Sequence, residues 1–247
     1  MFANPTEIEP FAGMGEPLSA ATHLLGGAVV LLLSSRLVRM GAGSVSRTAS
    51  LAIFAFACVF QLFASGICHV LMPGTTAHLV LLRIDHAAIF ILIAATFTPI
   101  HAILFRGRWR WGMLAFIWIV AISGIVLKTV FASSTPTWLS ATFYLAFGWV
   151  ALISGGLLWY RHGYRFVALI LYGGLAYTLG VLLEAGMAAA GNIQPIPGIL
   201  GGHEIFHLAV LLGMSLHWIF IRRIASGNIP NLRTSLISAE LLSASAS

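Results

Sequence analysis

Three short stretches hold most of the reactive side chains of this chain, and they lie far apart in sequence. Ser65 and His69 close one apolar run, Arg83, Asp85 and His86 open the next, and His203, Glu204 and His207 open the last. His203 and His207 are four residues apart, so on a helix both imidazoles project from one face. That spacing suits two nitrogens on one metal ion, and His69 supplies a third. Three protein nitrogens with one open position make a catalytic type of zinc site, with water in the fourth place. Zinc lowers the pKa of that water toward about 7. Asp85 is then placed to hold or deprotonate the water. Ser65, one turn before His69, is placed to hydrogen-bond the water or a substrate carbonyl. Imidazole also suits other transition metals, so zinc is a preference of donor type.

His203 to His207 also fits the H-E-x-x-H pattern of metalloproteases. Soluble proteins of that kind lack the apolar context of this chain, so Glu204 is expected beside the site or at the membrane interface rather than as the base.

The elements that must position these groups are membrane helices. Of 247 residues, 59% are hydrophobic and 8% charged, against about 25% charged in soluble domains. A span needs about 20 apolar residues, and seven segments qualify: 18–37, 49–71, 78–104, 110–131, 138–160, 166–190 and 203–221. The runs are continuous rather than alternating, which makes a membrane barrel a poor alternative, and helices satisfy the backbone within each span. The fold expected is all-α, a polytopic bundle of seven transmembrane helices. Residues 1–17 form a short N-terminal segment, 18–224 the membrane domain and 225–247 a flexible, Ser-rich tail. Residues 1–16 hold Glu7, Glu9 and Glu16 and no Lys or Arg. The positive region of a cleavable signal is missing, and the first run should stay in the mature protein.

Seven spans place the two termini on opposite sides. Call the N-terminal side face A. By parity the end of the second span and the starts of the third and seventh all lie there, so the three reactive clusters share one depth. The charges divide unevenly. Face B receives eleven arginines (Arg36, Arg39, Arg47, Arg106, Arg108, Arg110, Arg161, Arg165, Arg222, Arg223 and Arg233), whereas face A has only Arg83 and Lys128. The positive-inside rule then puts face B and the C-terminus in the cytoplasm and the N-terminus outside. The net charge of +6 reads as topology rather than nucleic-acid binding, for which no polar surface exists. Cys58 and Cys68 lie in one apolar run and read as ordinary buried thiols.

Weaker expectations attach to other residues. His23 falls in the face-A layer. Glu184 lies near the face-A end of the sixth span and is expected at the interface. Trp109, Trp111, Trp138, Trp149, Trp159 and Trp218 read as an aromatic belt. Gly155-Gly156 and Gly173-Gly174 read as sites of close helix packing.

The joint pattern resembles the hemolysin III family, within the superfamily that includes progestin and adiponectin receptors and alkaline ceramidases. The likeness covers about residues 16–221. It rests on Glu16 with Ser19, Thr22 and His23, then Ser65-x-x-x-His69, Arg83-x-Asp85-His86 and Thr96-x-Thr98-Pro99, and last Gly202-His203-Glu204-Ile205-Phe206-His207. The resemblance implies a seven-helix bundle with zinc at the residues matching His69, His203 and His207. It also implies that Asp85 contacts the metal's water, with Ser65 close by, and that lipid amide hydrolysis is within the chemistry of the superfamily. Hemolysin III relatives usually look N-terminus-in, whereas the charge count here places the N-terminus outside.

Three functions follow for a protein of the plasma or bacterial inner membrane with lipids as its partners. The first is a zinc-dependent intramembrane hydrolase of a lipid amide or ester. The second is a receptor or sensor with structural zinc, and the third a hemolysin or channel-type pore former. A pore needs polar groups through both leaflets, and the polar clusters gather on face A. Retinal binding needs a lysine in the last span, and the one lysine is Lys128.

Overall fold

The computed structural model describes residues 14–130 and 137–229, with only the backbone of Thr137 and Trp138. Several expectations therefore lie outside the described residues: the N-terminal acidic pair Glu7 and Glu9, the Ser133–Pro136 break, the Trp138 side chain, Arg233 and most of the tail.

Among the described residues, eight helical pieces make seven spans. They are α1 (Pro17–Arg39), α2 (Val45–Val70), α3 (Thr76–Leu104), α4 (Gly107–Val130), α5 (Thr137–Trp149), α6 (Ala151–His162), α7 (Tyr164–Ala189) and α8 (Gly202–Ala225). All seven spans are long and apolar enough to cross a membrane, the fifth running Leu139–His162 through α5 and α6. The protein is thus an all-α integral membrane bundle, with no named strand among the described residues. Each span falls within a few residues of its expected range, because the Arg-, Gly- and Pro-bearing breaks are the places where backbone can leave the helix.

Local chemistry sets the ends. Pro17 opens α1, where its missing N–H costs nothing. Thr75 caps α3 by accepting from the His78 N–H at 3.2 Å. Gly163 turns the chain between α6 and α7 at φ +78°, a conformation that favours glycine.

The tightest packing lies toward face B. There Leu37, Leu51, Phe54, Phe105, Leu158, Phe166, Trp218, Phe220 and Ile224 form one buried cluster. A second cluster of Phe90, Phe97, Ile117 and Phe147 joins α3, α4 and α5. Large apolar side chains such as Leu32, Phe56 and Ile119 point outward, as lipid-facing residues do.

Two details depart from expectation. The fifth span is interrupted at Val150, between Trp149 and Ala151. Beside the interruption the Trp149 indole donates to Thr178 Oγ1 on α7 at 3.0 Å. The aromatic belt is also thinner than expected. Trp109, Trp111 and Trp159 are exposed, but Trp218 is buried against Phe54 at 5.6 Å between centroids. Its indole serves packing, because it faces the helix bundle rather than lipid.

Candidate metal centre and its cavity

The face-A ends of α1, α2 and α8 converge. Backbone bonds stitch the first two, with Gly15 N–H donating to the Val70 carbonyl at 3.2 Å and Glu16 N–H to the His69 carbonyl at 3.0 Å. Next to that seam, one donor nitrogen from each of His69, His203 and His207 falls within 4.8 Å of the others. The i, i+4 pair on α8 is closest, with His207 Nε2 3.0 Å from His203 Nε2. His69 crosses from α2, its ring centroid 4.6 Å from that of His207 and 5.1 Å from that of His203.

The donor set fits a metal ion. His69 and His207 are 3% and 2% exposed, yet Nε2 of His69 and Nδ1 of His207 have no hydrogen-bond partner. Buried polar atoms are almost always paired, and three converging imidazoles, two of them with an unpaired nitrogen, suit a cation among them.

Two carboxylates contact the histidines. Glu16 Oε2 lies 2.7 Å from His69 Nδ1 and 3.7 Å from His203 Nε2. Burial works to raise the pKa of Glu16, but the contact with His69 and the nearby His203 and His78 outweigh it and hold the carboxyl below its usual range. Glu184 Oε1, on α7, lies 2.7 Å from His203 Nδ1, so its side chain is committed to the histidine rather than free at the interface.

Deeper in the bundle, Ser65 and Asp85 are hydrogen-bonding neighbours, and each has a further partner. His23 Nδ1 is 2.9 Å from Ser65 Oγ, and His23 Nε2 is 3.3 Å from the His207 carbonyl. A carbonyl only accepts, so Nε2 of His23 carries a proton. Asp85 accepts from Gln61 Nε2 at 2.8 Å. Gln61 was not anticipated. Its signal was present, since Gln61, Ser65 and His69 recur every four residues and so share one face of α2.

Glu204 is 1% exposed. Its Oε2 accepts from the Gly201 N–H at 2.9 Å and its Oε1 from Ser19 Oγ at 3.2 Å. Both oxygens are spent on capping α8 and tying it to α1, which explains why the H-E-x-x-H pattern does not signify a protease here.

His23, Ser65, Asp85, His203 and His207 all border one cavity of about 430 Å³. It extends away from face A to Ile100, His101 and Ser154, between mostly apolar walls. Gly148, Gly155 and Gly156 are part of that wall, and a Cβ at any of the three would meet nothing within 4 Å. The close packing expected at Gly155-Gly156 is therefore not found; these glycines leave space. The expectation for Gly173-Gly174 holds at Gly173, which lies close against His217, and close approach also occurs at Gly213, where a Cβ would lie 2.8 Å from the Tyr177 ring. At the far end His101 Nε2 pairs with Ser154 Oγ at 2.9 Å and His101 Nδ1 with the Phe97 carbonyl at 3.1 Å.

Comparison with known proteins agrees with this architecture. Over 136 residues the chain is 33% identical to Hemolysin-3 of Bacillus cereus, a match covering 54% of this chain and 56% of that protein, little more than half its length. It is 30% identical over 172 residues to a Hemolysin-3 homolog of Bacillus subtilis (strain 168), covering 68% and 78%. It is 28% identical over 234 residues to Heptahelical transmembrane protein 1 of Arabidopsis thaliana, covering 84% and 69%. The family model described as haemolysin-III related matches residues 11–218, and the chain belongs to that family.

Proposed function

We propose that this protein is a zinc-dependent intramembrane hydrolase acting on a lipid amide or ester, with His69, His203 and His207 as the metal ligands. One observation carries the reading: His203 and His207, which gather with His69, border one cavity of about 430 Å³ together with Asp85 and Ser65, and the walls of that cavity are mostly apolar. Pockets of about 300–1,000 Å³ lined by apolar groups with a few convergent polar ones are typical ligand sites. An acyl chain suits the apolar length, and a carbonyl suits the polar end.

Zinc held there supplies a Lewis acid and a means of activating water at neutral pH. The chain's own groups do the rest. Asp85, steered by Gln61, is the general base and returns the proton to the leaving amine or alcohol. Ser65, bonded to His23 and to Asp85, sets its hydroxyl at the polar end of the cavity, where it positions the Asp85 carboxylate. The apolar wall excludes bulk water and aligns the chain of the substrate.

Eleven arginines on face B against two basic residues on face A support a cytoplasmic C-terminus in the plasma or inner membrane, with the histidine trio on the external side.

The test is metal analysis of the purified chain beside turnover on a panel of acyl amides and esters. Stoichiometric zinc with turnover lost in Asp85→Ala is the expected result. Zinc without turnover on any substrate argues for the second reading, a receptor or sensor with structural zinc. That alternative draws on the trio's joining α2 to α8, two spans also tied at face B by Arg47 donating to the Ala225 carbonyl. There, His203→Ala would lower the melting temperature steeply.

A further inference from the structure

The three histidines are not held alike. His69 and His207 are buried by packing, whereas the side chain of His203 is 39% exposed at the first turn of α8. A half-exposed imidazole samples several rotamers, and ordering it has an entropic cost unless a neighbour fixes it. The neighbour is Glu184. Its Oε1 lies 2.7 Å from His203 Nδ1, and a carboxylate only accepts, so that nitrogen carries the proton. The lone pair of His203 is thereby placed on Nε2, the nitrogen 3.0 Å from His207 Nε2. Glu16 lies on this inner side, 3.7 Å from the same Nε2.

The contact is built into the backbone. A Cβ on Gly202 would lie 3.1 Å from Glu184 Cα and 3.3 Å from the Met187 Cβ. The absent side chain at Gly202 lets the end of α7 come directly against the start of α8, with Glu184 beside His203.

We propose that Glu184 is a positioning residue for the metal centre, fixing the tautomer and the rotamer of His203 so that Nε2 faces the ion. This rests on the zinc reading above. Histidine ligands commonly donate their outer N–H to a carboxylate, and losing that partner weakens metal affinity by about 10–100-fold.

The experiment uses the full chain in detergent, with zinc affinity measured by competition against a chromogenic chelator and the visible spectrum of the cobalt-substituted protein recorded in parallel. Glu184→Ala is expected to weaken zinc binding by about 10–100-fold and to alter the cobalt bands, while the metal-free protein melts as the wild type does. Glu184→Gln, whose side-chain oxygen accepts the same N–H, is expected to recover most of the affinity. Unchanged zinc affinity in Glu184→Ala overturns the proposal. So does a Gln variant as weak as Ala, which would mean that charge and not the bond to Nδ1 matters. A wild type that takes up no zinc overturns the underlying metal reading and this one with it; a loaded wild type with an indifferent Ala variant overturns this one alone.

Discussion

Asp85 on α3 accepts a hydrogen bond from Gln61 on α2 at 2.8 Å, and the pair borders the same cavity as His203 and His207. The Gln61 amide, with Ser65 as a second partner, restricts the carboxylate to one orientation. If Asp85 moves the proton, Asp85→Asn retains zinc but lowers turnover by about 10²–10⁴-fold, the usual worth of a positioned acid–base group. Gln61→Ala should lower turnover less while leaving metal content unchanged. Steady-state rates beside metal analysis check both.

Glu204 gives the opposite expectation. Gln at this position still accepts from the Gly201 N–H and can donate to Ser19, so Glu204→Gln keeps turnover and zinc. Glu204→Ala removes the cap and the link to α1, and should cost about 1–2 kcal/mol. A thermal melt of both variants, with rates on the surviving fold, separates a capping role from a catalytic one.

The metal ligands themselves predict loss of binding. His69→Ala and His207→Ala each remove one of three donors, and purified protein should then carry less than one zinc per chain. Wild-type zinc content in either variant would place the ion elsewhere.

Gly156 permits a steric test. Gly156→Leu meets no neighbour on building its Cβ and replaces a residue that costs a helix about 0.5–1 kcal/mol relative to Ala. Melting should stay level or rise, while rates fall for long acyl chains and hold for short ones. Gly213→Ala, with its Cβ 2.8 Å from the Tyr177 ring, should instead destabilise by about 1–3 kcal/mol through overpacking.

Orientation has its own measurement. Fluorescent-protein fusions to the C-terminus should glow and alkaline phosphatase fusions stay inactive, as a cytoplasmic tail requires. The reverse pattern would put the basic face outside.

Much of this was legible in the sequence, for physical reasons. Long apolar runs leave only helices as spanning structures, so the seven spans and the shared depth of His69, Asp85 and His203 follow from counting. Periodicity brought His203 and His207 to one face. What escaped was everything decided by which helix faces which. Gln61 sits on the Ser65–His69 face, but nothing in the sequence says that Asp85 is opposite. Glu184 reads as interfacial until α7 is seen against Gly202. Glycines that allow contact and glycines that leave room look the same as letters, so Gly155 and Gly213 could not be told apart. The interruption at Val150 carries no proline to announce it.

The seam between α1, α2 and α8 has a consequence for biosynthesis. His69 is made early and enters the bilayer with the second span, whereas His203 and His207 belong to the last span to emerge from the ribosome. The trio is therefore incomplete throughout translation and closes only when the final helix inserts beside the first two. Products cut short before residue 203 hold a single member of the trio, so only chains that extend through the last span can bring the three together.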